Sequence, residues 1–322
     1  MNAQGHPLNK IDPSGLYQSD IHYYMTFFLA MAAGVSYEDA RTIALATQYV
    51  DNNPLTQPID VDQYGNEQYI KSIFDNQQRL KDYHFTLSDS STGKTADAYK
   101  NSTVANPDSP QLQNLLAASN KVPTSCGQLQ FFGEYLHAFE DTFSHRNPDN
   151  IPFDAVWTAP ILGTQFGIGH GLYDSNPDYT WDVQNGCGVA GCYNWNNNAA
   201  RTLEMEKEVF EKLKAYGDPG KAQDWKDVQK VAEAFNAIQE REKDSKNFEE
   251  KFKKLNQTLA AWGYQAMKTD GSKRAIDLFT DDQYKESLGE TKRNQNLCDK
   301  DGKRLKQDDY PGTILPTTEC TK

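Results

Sequence analysis

Leu136-His137-Ala138-Phe139-Glu140-Asp141-Thr142-Phe143-Ser144-His145 is the stretch on which the fold turns. Its apolar residues recur at intervals of three and four, the period of an amphipathic helix. His137, Asp141 and His145 stand at i, i+4 and i+8, so at about 100° per residue they fall within roughly 80° of arc on one helix face. Imidazole, carboxylate and imidazole in a row form a ligand set suited to zinc or another divalent transition metal. Leu136, Phe139 and Phe143 tend to bury the same helix. Polar groups buried there without partners are costly, and a metal removes that penalty.

Further ligand-type residues lie on either side. His170-Gly171-Leu172-Tyr173-Asp174 repeats the four-residue spacing. Asp51 ends the helical segment that opens at Ala40, His84 sits in Asp82-Tyr83-His84-Phe85, and His22 follows Asp20 and Ile21. Asp178 and Trp181, just past the last of these, are candidates to touch the ligands or a substrate; a Pro-Asp turn and a buried tryptophan are the plainer reading.

The surrounding pattern is helical. Ile21 to Val50 reads as two helices, divided at Gly34, with Ser36 as N-cap and Asp39 three residues on. Helix returns from about Gln111 to Ala118 and from Gly127 to Phe143. Residues 199–262 are Glu/Lys/Ala/Leu-rich and read as two or three amphipathic helices, interrupted by Gly217-Asp218-Pro219-Gly220. The span from Gly163 to Asn198 carries few helix signals and reads as loop, as do 51–68 and the polar stretch 86–110. The expectation is an all-α fold with long irregular loops. It divides into a leader (1–19), a metal-binding region (20–198), helices completing the bundle or forming a lid (199–268) and a polar tail (269–322).

Composition narrows the function. With 322 residues and 37% hydrophobic content the chain can fill a core. Its 33 basic and 45 acidic residues leave a net charge of −12, which argues against broad charge-driven attraction to nucleic acid or anionic lipid. The apolar run Ile21 to Val35 contains His22 and falls short of the ~20 residues of a spanning helix. Met1 to Asp20 is polar, with Pro7 and Pro13, and does not read as a signal peptide. Of five cysteines, Cys187 with Cys192, and Cys298 with Cys320, could each close a loop, leaving Cys126 over.

Two resemblances extend this reading. Pro7-Leu8-Asn9-Lys10-Ile11-Asp12-Pro13-Ser14-Gly15-Leu16 resembles the PxxxxDPxGL signature that closes the core of Rhs-repeat polymorphic toxin proteins, with every fixed position matched. It implies self-cleavage between Leu16 and Tyr17, release of an antibacterial effector from an enclosing Rhs core or shell, delivery into a target cell by a secretion apparatus such as type VI, and a cognate immunity protein. In motif order, Asp20 to Asp182 resembles the zinc-dependent phospholipase C family and its relatives, the single-strand-specific nucleases.

That likeness implies an all-helical bundle holding two or three Zn2+ ions. Asp51, His84, His137 and Asp141 would hold one; His145, His170 and Asp174 a second; His22 and a bridging Asp141 a third, aided by Asp20 or by an amine freed at Tyr17. The chain departs from the family in two ways: the last interval of the helix motif is three residues instead of five, and Asp174 stands where glutamate is commoner. Phosphodiester hydrolysis is the implied reaction, with Asp51 as general base and Asp141 as bridging ligand. Phospholipid is the implied substrate; exposed Phe131, Phe132, Tyr173 and Tyr179 would suit a lipid headgroup or a membrane surface and would stack on bases equally well. The alternatives are a nuclease toxin and a non-enzymatic helical binding effector.

Overall fold

The computed structural model describes residues 20–52, 56, 80–86, 109–121, 127–151, 157–159, 164–166, 173–188, 190–239 and 245–267. The motif Pro7 to Leu16, Tyr17, Cys126, His170, Cys298, Cys320 and the tail 269–322 lie outside the described residues. Helix predominates in what is described.

A π-helical turn, Asp20–Met25, runs into α1 (Thr26–Ala32), and every residue of both is buried, as a run without a polar face requires. Gly34 follows at φ 86°, where a Cβ would lie 2.4 Å from the Asp218 carbonyl oxygen, so both backbone angle and space demand glycine. Ser36 caps α2 (Tyr37–Asn52): the Asp39 amide donates to Ser36 Oγ at 3.2 Å, and the Ser36 hydroxyl donates to Asp39 Oδ2 at 2.8 Å. Next come α3 (Pro110–Lys121) and α4 (Gln128–Ser144), the helix of the opening motif. The Glu/Lys-rich stretch forms α5 (Asn198–Leu213), α6 (Trp225–Asn236) and α7 (Ser245–Ala261), with the Gly217-Asp218-Pro219-Gly220 break between α5 and α6. No described helix is long and apolar enough to cross a membrane.

The all-α expectation needs correction in one region. The chain from residue 157 to residue 195 makes two antiparallel hairpins: β1 (Trp157–Ala159) with β2 (Thr164–Phe166), and β3 (Val183–Gly188) with β4 (Gly191–Trp195). In the second, Cys187 faces Cys192 in register and the two form a disulfide. These strands escape sequence reading because the second hairpin has buried apolar anchors at its open end, Val183 opposite Trp195, while its strands otherwise carry glycine, polar residues, the two cysteines and the exposed Tyr193. There is no alternation to detect.

The chain divides into two compact units. One comprises Met1–Tyr17, Asp51–Gln113 and Ala138–Thr202; the other Gln18–Val50, Asn114–His137 and Leu203–Lys322. In the first, Trp181, Val183 and Trp195 form a buried cluster, with Tyr173 and Tyr179 half-buried against it. In the second, Phe28 stacks on Trp262 at 5.6 Å, and Gly133 lets α4 approach α2 closely: a Cβ there would lie 2.6 Å from the Ala46 Cβ. The aromatics expected at a membrane surface are therefore elsewhere. Phe131 and Phe132 are buried at 3% and 2% exposure, Phe132 against Tyr135 and Tyr216. An apolar helix face and an exposed aromatic patch look the same in sequence.

Candidate metal centre

α4 places Asp141 inside its last turn. His145 falls just beyond the helix end but keeps the helical bond, its amide donating to the Asp141 carbonyl at 2.9 Å. His137, Asp141 and His145 are all buried, as are Leu136, Phe139 and Phe143, so the helix face read from the sequence is an inward one.

Within the first unit, four residues expected to act at a metal or beside it gather around His84 and Asp141, and a fifth joins them. His84 Nδ1 lies 3.1 Å from Asp141 Oδ2 and 3.9 Å from Asp51 Oδ1. His145 Nε2 lies 3.9 Å from Asp141 Oδ1 and 4.0 Å from Asp178 Oδ1. All five side chains are at most 3% exposed. Asp141 thus turns one carboxylate oxygen to each imidazole.

The other nitrogen of each ring is spoken for. His84 Nε2 is 2.9 Å from the Thr56 carbonyl, and His145 Nδ1 is 2.6 Å from the His84 carbonyl. A carbonyl only accepts, so these nitrogens carry the protons. In neutral rings that leaves Nδ1 of His84 and Nε2 of His145 as lone pairs, each directed at carboxylate oxygens. Lone pair against carboxylate is repulsive unless a cation sits between or the ring takes a second proton. Anchoring one ring nitrogen on a backbone carbonyl so that the other can bind a metal is how protein metal sites orient histidine.

Taken pair by pair, the four separations are within the roughly 4.2 Å that two ligand atoms about 2.1 Å from a common zinc can span; among the described residues, no three of these five have ligand atoms all within 4.8 Å of one another. Phe85 stacks on the His145 ring at 4.3 Å and 17°, fixing its plane.

The second unit holds the other two described histidines. His22 and His137 stack with ring centroids 4.1 Å apart, and each offers a nitrogen within 4.8 Å of the other. Asp20, the simpler candidate for a third ion, receives a hydrogen bond from Lys251 Nζ at 2.5 Å and is neutralised by it. Asp174 stands half-buried in a turn at φ 58°, and the carboxylate from this region beside His145 is Asp178, four residues on. Trp181 is a core residue, stacked on Tyr179 at 4.4 Å. In the sequence Asp178 stands in a Pro-Asp turn, which carries no metal signal. The clue available was its four-residue offset from Asp174.

The model of the family of unknown function DUF6765 matches residues 17–312. The chain belongs to this family. No curated protein and no solved structure matches it. The DUF6765 match covers all of the candidate residues described above, from His22 to Asp178.

Proposed function

We propose that this protein is a metal-dependent phosphodiester hydrolase of phospholipase C type, acting on membrane phospholipid as the toxin module of an Rhs-repeat protein. The observation that carries the reading is Asp141, buried between two imidazoles whose remaining nitrogens are turned toward it by backbone carbonyls. Asp51, His84, Asp141 and His145 would hold the ions, and the resemblance adds His170 and Asp174 to that set. A divalent ion supplies Lewis acidity toward a phosphoryl oxygen and lowers the pKa of water toward neutrality. Asp51 would take the proton of the attacking water; as the new P–O bond forms, the bond to the diacylglycerol oxygen would break on the opposite side, and that oxygen would leave as the alcohol after taking a proton from solvent. The buried carboxylates hold the ions in place and keep bulk water from competing.

Two features support the toxin setting. Pro7 to Leu16 matches the Rhs core signature at every fixed position, and the family match opens at Tyr17, directly after the leucine at which such a core is cut. An immunity protein and an enclosing core are the partners this setting entails.

The test is metal content by plasma mass spectrometry on the full chain purified without chelator or affinity metal, beside the His137→Ala/His145→Ala double variant. Two or three equivalents of zinc in the wild type, lost in the variant, support the centre. Folded wild type that neither carries nor takes up zinc overturns it and leaves a helical binding effector. Liposomes and single-stranded DNA then separate the substrates: released phosphorylated headgroup supports the phospholipase reading, and DNA cleavage without headgroup release replaces it with a nuclease.

A further inference from the structure

We infer that the cleft formed by the turn between α1 and α2, the chain from Tyr216 to Lys221 and the end of α7 binds a small methylated ammonium cation, with Tyr37, Tyr216 and Tyr264 as its aromatic wall and Asp39 and Asp218 as its counter-charge. The cleft lies wholly within the second unit, and the chemistry proposed for the metal centre uses none of these residues.

The cleft encloses about 360 Å³, the small end of the range for sites that take small molecules. Backbone contacts fix its walls. The Asp218 amide donates to the Gly34 carbonyl at 2.9 Å and the Gln223 amide to the Ala32 carbonyl at 2.8 Å, which ties the loop to the turn at two places. The backbones pass so closely that a Cβ on Gly217 would meet the Ala33 carbonyl oxygen. Across the cleft, Gly263 at φ 80° ends α7, and the Tyr264 amide turns back to donate to the Leu259 carbonyl at 2.8 Å. Each tyrosine is held by a second aromatic ring: Tyr37 edge-on to Phe27 at 5.4 Å, Tyr216 against Phe132 at 4.4 Å and Tyr264 edge-on to Trp262 at 6.4 Å. The Tyr264 hydroxyl also donates to the Lys221 carbonyl and accepts from Gln223 Nε2 at 2.9 Å. The wall is therefore formed before any ligand arrives.

The lining selects the ligand. All three tyrosines are half-buried, and an aromatic ring attracts a cation through its quadrupole. Asp39 and Asp218 stand against one ammonium, Lys221, so the charged side chains of the cleft sum to a single negative charge and call for a monocation. Part of the carboxylates' accepting capacity is already used: Asp39 Oδ2 accepts from the Ser36 hydroxyl at 2.8 Å, Asp218 Oδ1 from the Gly220 amide at 2.9 Å, and Lys221 Nζ lies 3.6 Å from Asp218 Oδ2. A primary ammonium brings three donors and competes for those same oxygens. A quaternary ammonium brings none. It needs negative charge, ring surface and apolar contact for its methyl groups, and Met31 and Val35 supply the last. Free quaternary amines and choline-bearing lipids carry the same group.

The experiment is calorimetry on the full chain with choline and tetramethylammonium as chlorides. Ammonium chloride and the neutral alcohol in which carbon replaces choline's nitrogen serve as controls, the latter having choline's shape without its charge. Wild type is compared with Tyr37→Leu, Tyr37→Phe and Asp39→Asn, with folding checked by circular dichroism. Both methylated cations are expected to bind with a Kd on the order of 1 mM. Ammonium and the neutral alcohol bind at least about tenfold more weakly. Tyr37→Leu weakens choline binding by about 5- to 30-fold and Tyr37→Phe leaves it within about twofold, because the ring and not the hydroxyl meets the cation. Asp39→Asn weakens it by about 2- to 5-fold, as befits an exposed charge. Wild type that binds neither methylated cation at about tenfold the expected Kd overturns the inference. Equal binding of the neutral alcohol overturns it too, making the cleft apolar and nothing more. Should Tyr37→Leu not fold, that comparison on wild type decides. Phosphatidylcholine vesicles then identify the source. Sedimentation with them that tetramethylammonium competes away, and that folded Tyr37→Leu loses, supports a lipid headgroup; choline binding without sedimentation supports a free quaternary amine.

Discussion

Buried carboxylates are treated in opposite ways in the two units. In the second unit, Asp20 is 5% exposed and bonded by Lys251 Nζ, and Glu206, fully buried, accepts from Asn236 Nδ2 at 2.9 Å. The chain supplies the compensating donors itself, and the Lys251 ammonium also lies over the Phe235 ring at 4.7 Å. In the first unit, Asp51, Asp141 and Asp178 face imidazole nitrogens whose partner nitrogens already donate to backbone carbonyls. One pair of acids is met by a lysine and by a side-chain amide; the other group is met by imidazoles, His84 Nδ1 lying within hydrogen-bond distance of Asp141 Oδ2 at 3.1 Å. Both read as buried acids in the sequence, and what faces them separates the two.

The contrast can be broken most forcefully at Asp141. Asp141→Asn, nearly isosteric, should remove zinc from both positions and lower phospholipid hydrolysis by on the order of 10³-fold, as loss of a central electrostatic group does. Headgroup release from liposomes and zinc content read it; a variant that keeps both would make Asp141 merely structural. On the other side, Lys251→Met should leave zinc content unchanged while lowering stability by about 3–5 kcal/mol, the cost of stranding one member of a buried pair. Denaturant unfolding measures the loss, and the double variant Asp20→Asn/Lys251→Met should recover much of it. Zinc lost from Lys251→Met that remains folded would contradict the separation of the two kinds of site.

A smaller effect is expected at Gly133, where α4 passes α2. Gly133→Ala should destabilise by about 1–3 kcal/mol through overpacking, because the added methyl meets the Ala46 Cβ at 2.6 Å and the Ile43 carbonyl at 2.8 Å. Tyr135 provides a pH test within the same unit. Burial first, then the charges of Glu208 and Tyr216, hold its phenol above the usual 10.0. Its stabilisation is therefore complete below pH 10. It is lost as pH rises further, because the unfolded chain ionises first; the slope is about 1.4 kcal/mol per pH unit. Tyr135→Phe should flatten the alkaline limb of the stability profile. The smallest effect is at the exposed cap: Ser36→Ala should lower stability by about 1 kcal/mol with no change in bound zinc.

Much of the scaffold was legible because its signals are local. Ser36 and Asp39 announce the start of α2, Gly34 the break before it, and the three-and-four spacing of Leu136, Phe139 and Phe143 the buried face of α4. Cys187 and Cys192 were recognisable as a pair through their short spacing. The hairpin they close was not, since its short strands are glycine-rich and show no regular apolar alternation. Phe131 and Phe132 read from the sequence as surface residues yet are buried, because hydrophobicity says that a residue wants cover and not what covers it.

By itself, then, the amino-acid order determined which residues share a helix face: His137, Asp141 and His145, one turn apart, with apolar neighbours that turn them inward. The period of the helix dictates that, and no distant contact is needed. Only the tertiary structure decided what those groups meet. His84 reaches Asp141 across 57 residues of chain, and its carbonyl fixes the tautomer of His145 across 61. Asp178 arrives from a 3-10 turn held by Asn176, Asn198 and Arg201. Those pairings depend on where loops return, and local propensity carries no record of it; a lone Asp or His becomes part of a centre only when the fold brings another ligand within about 4 Å.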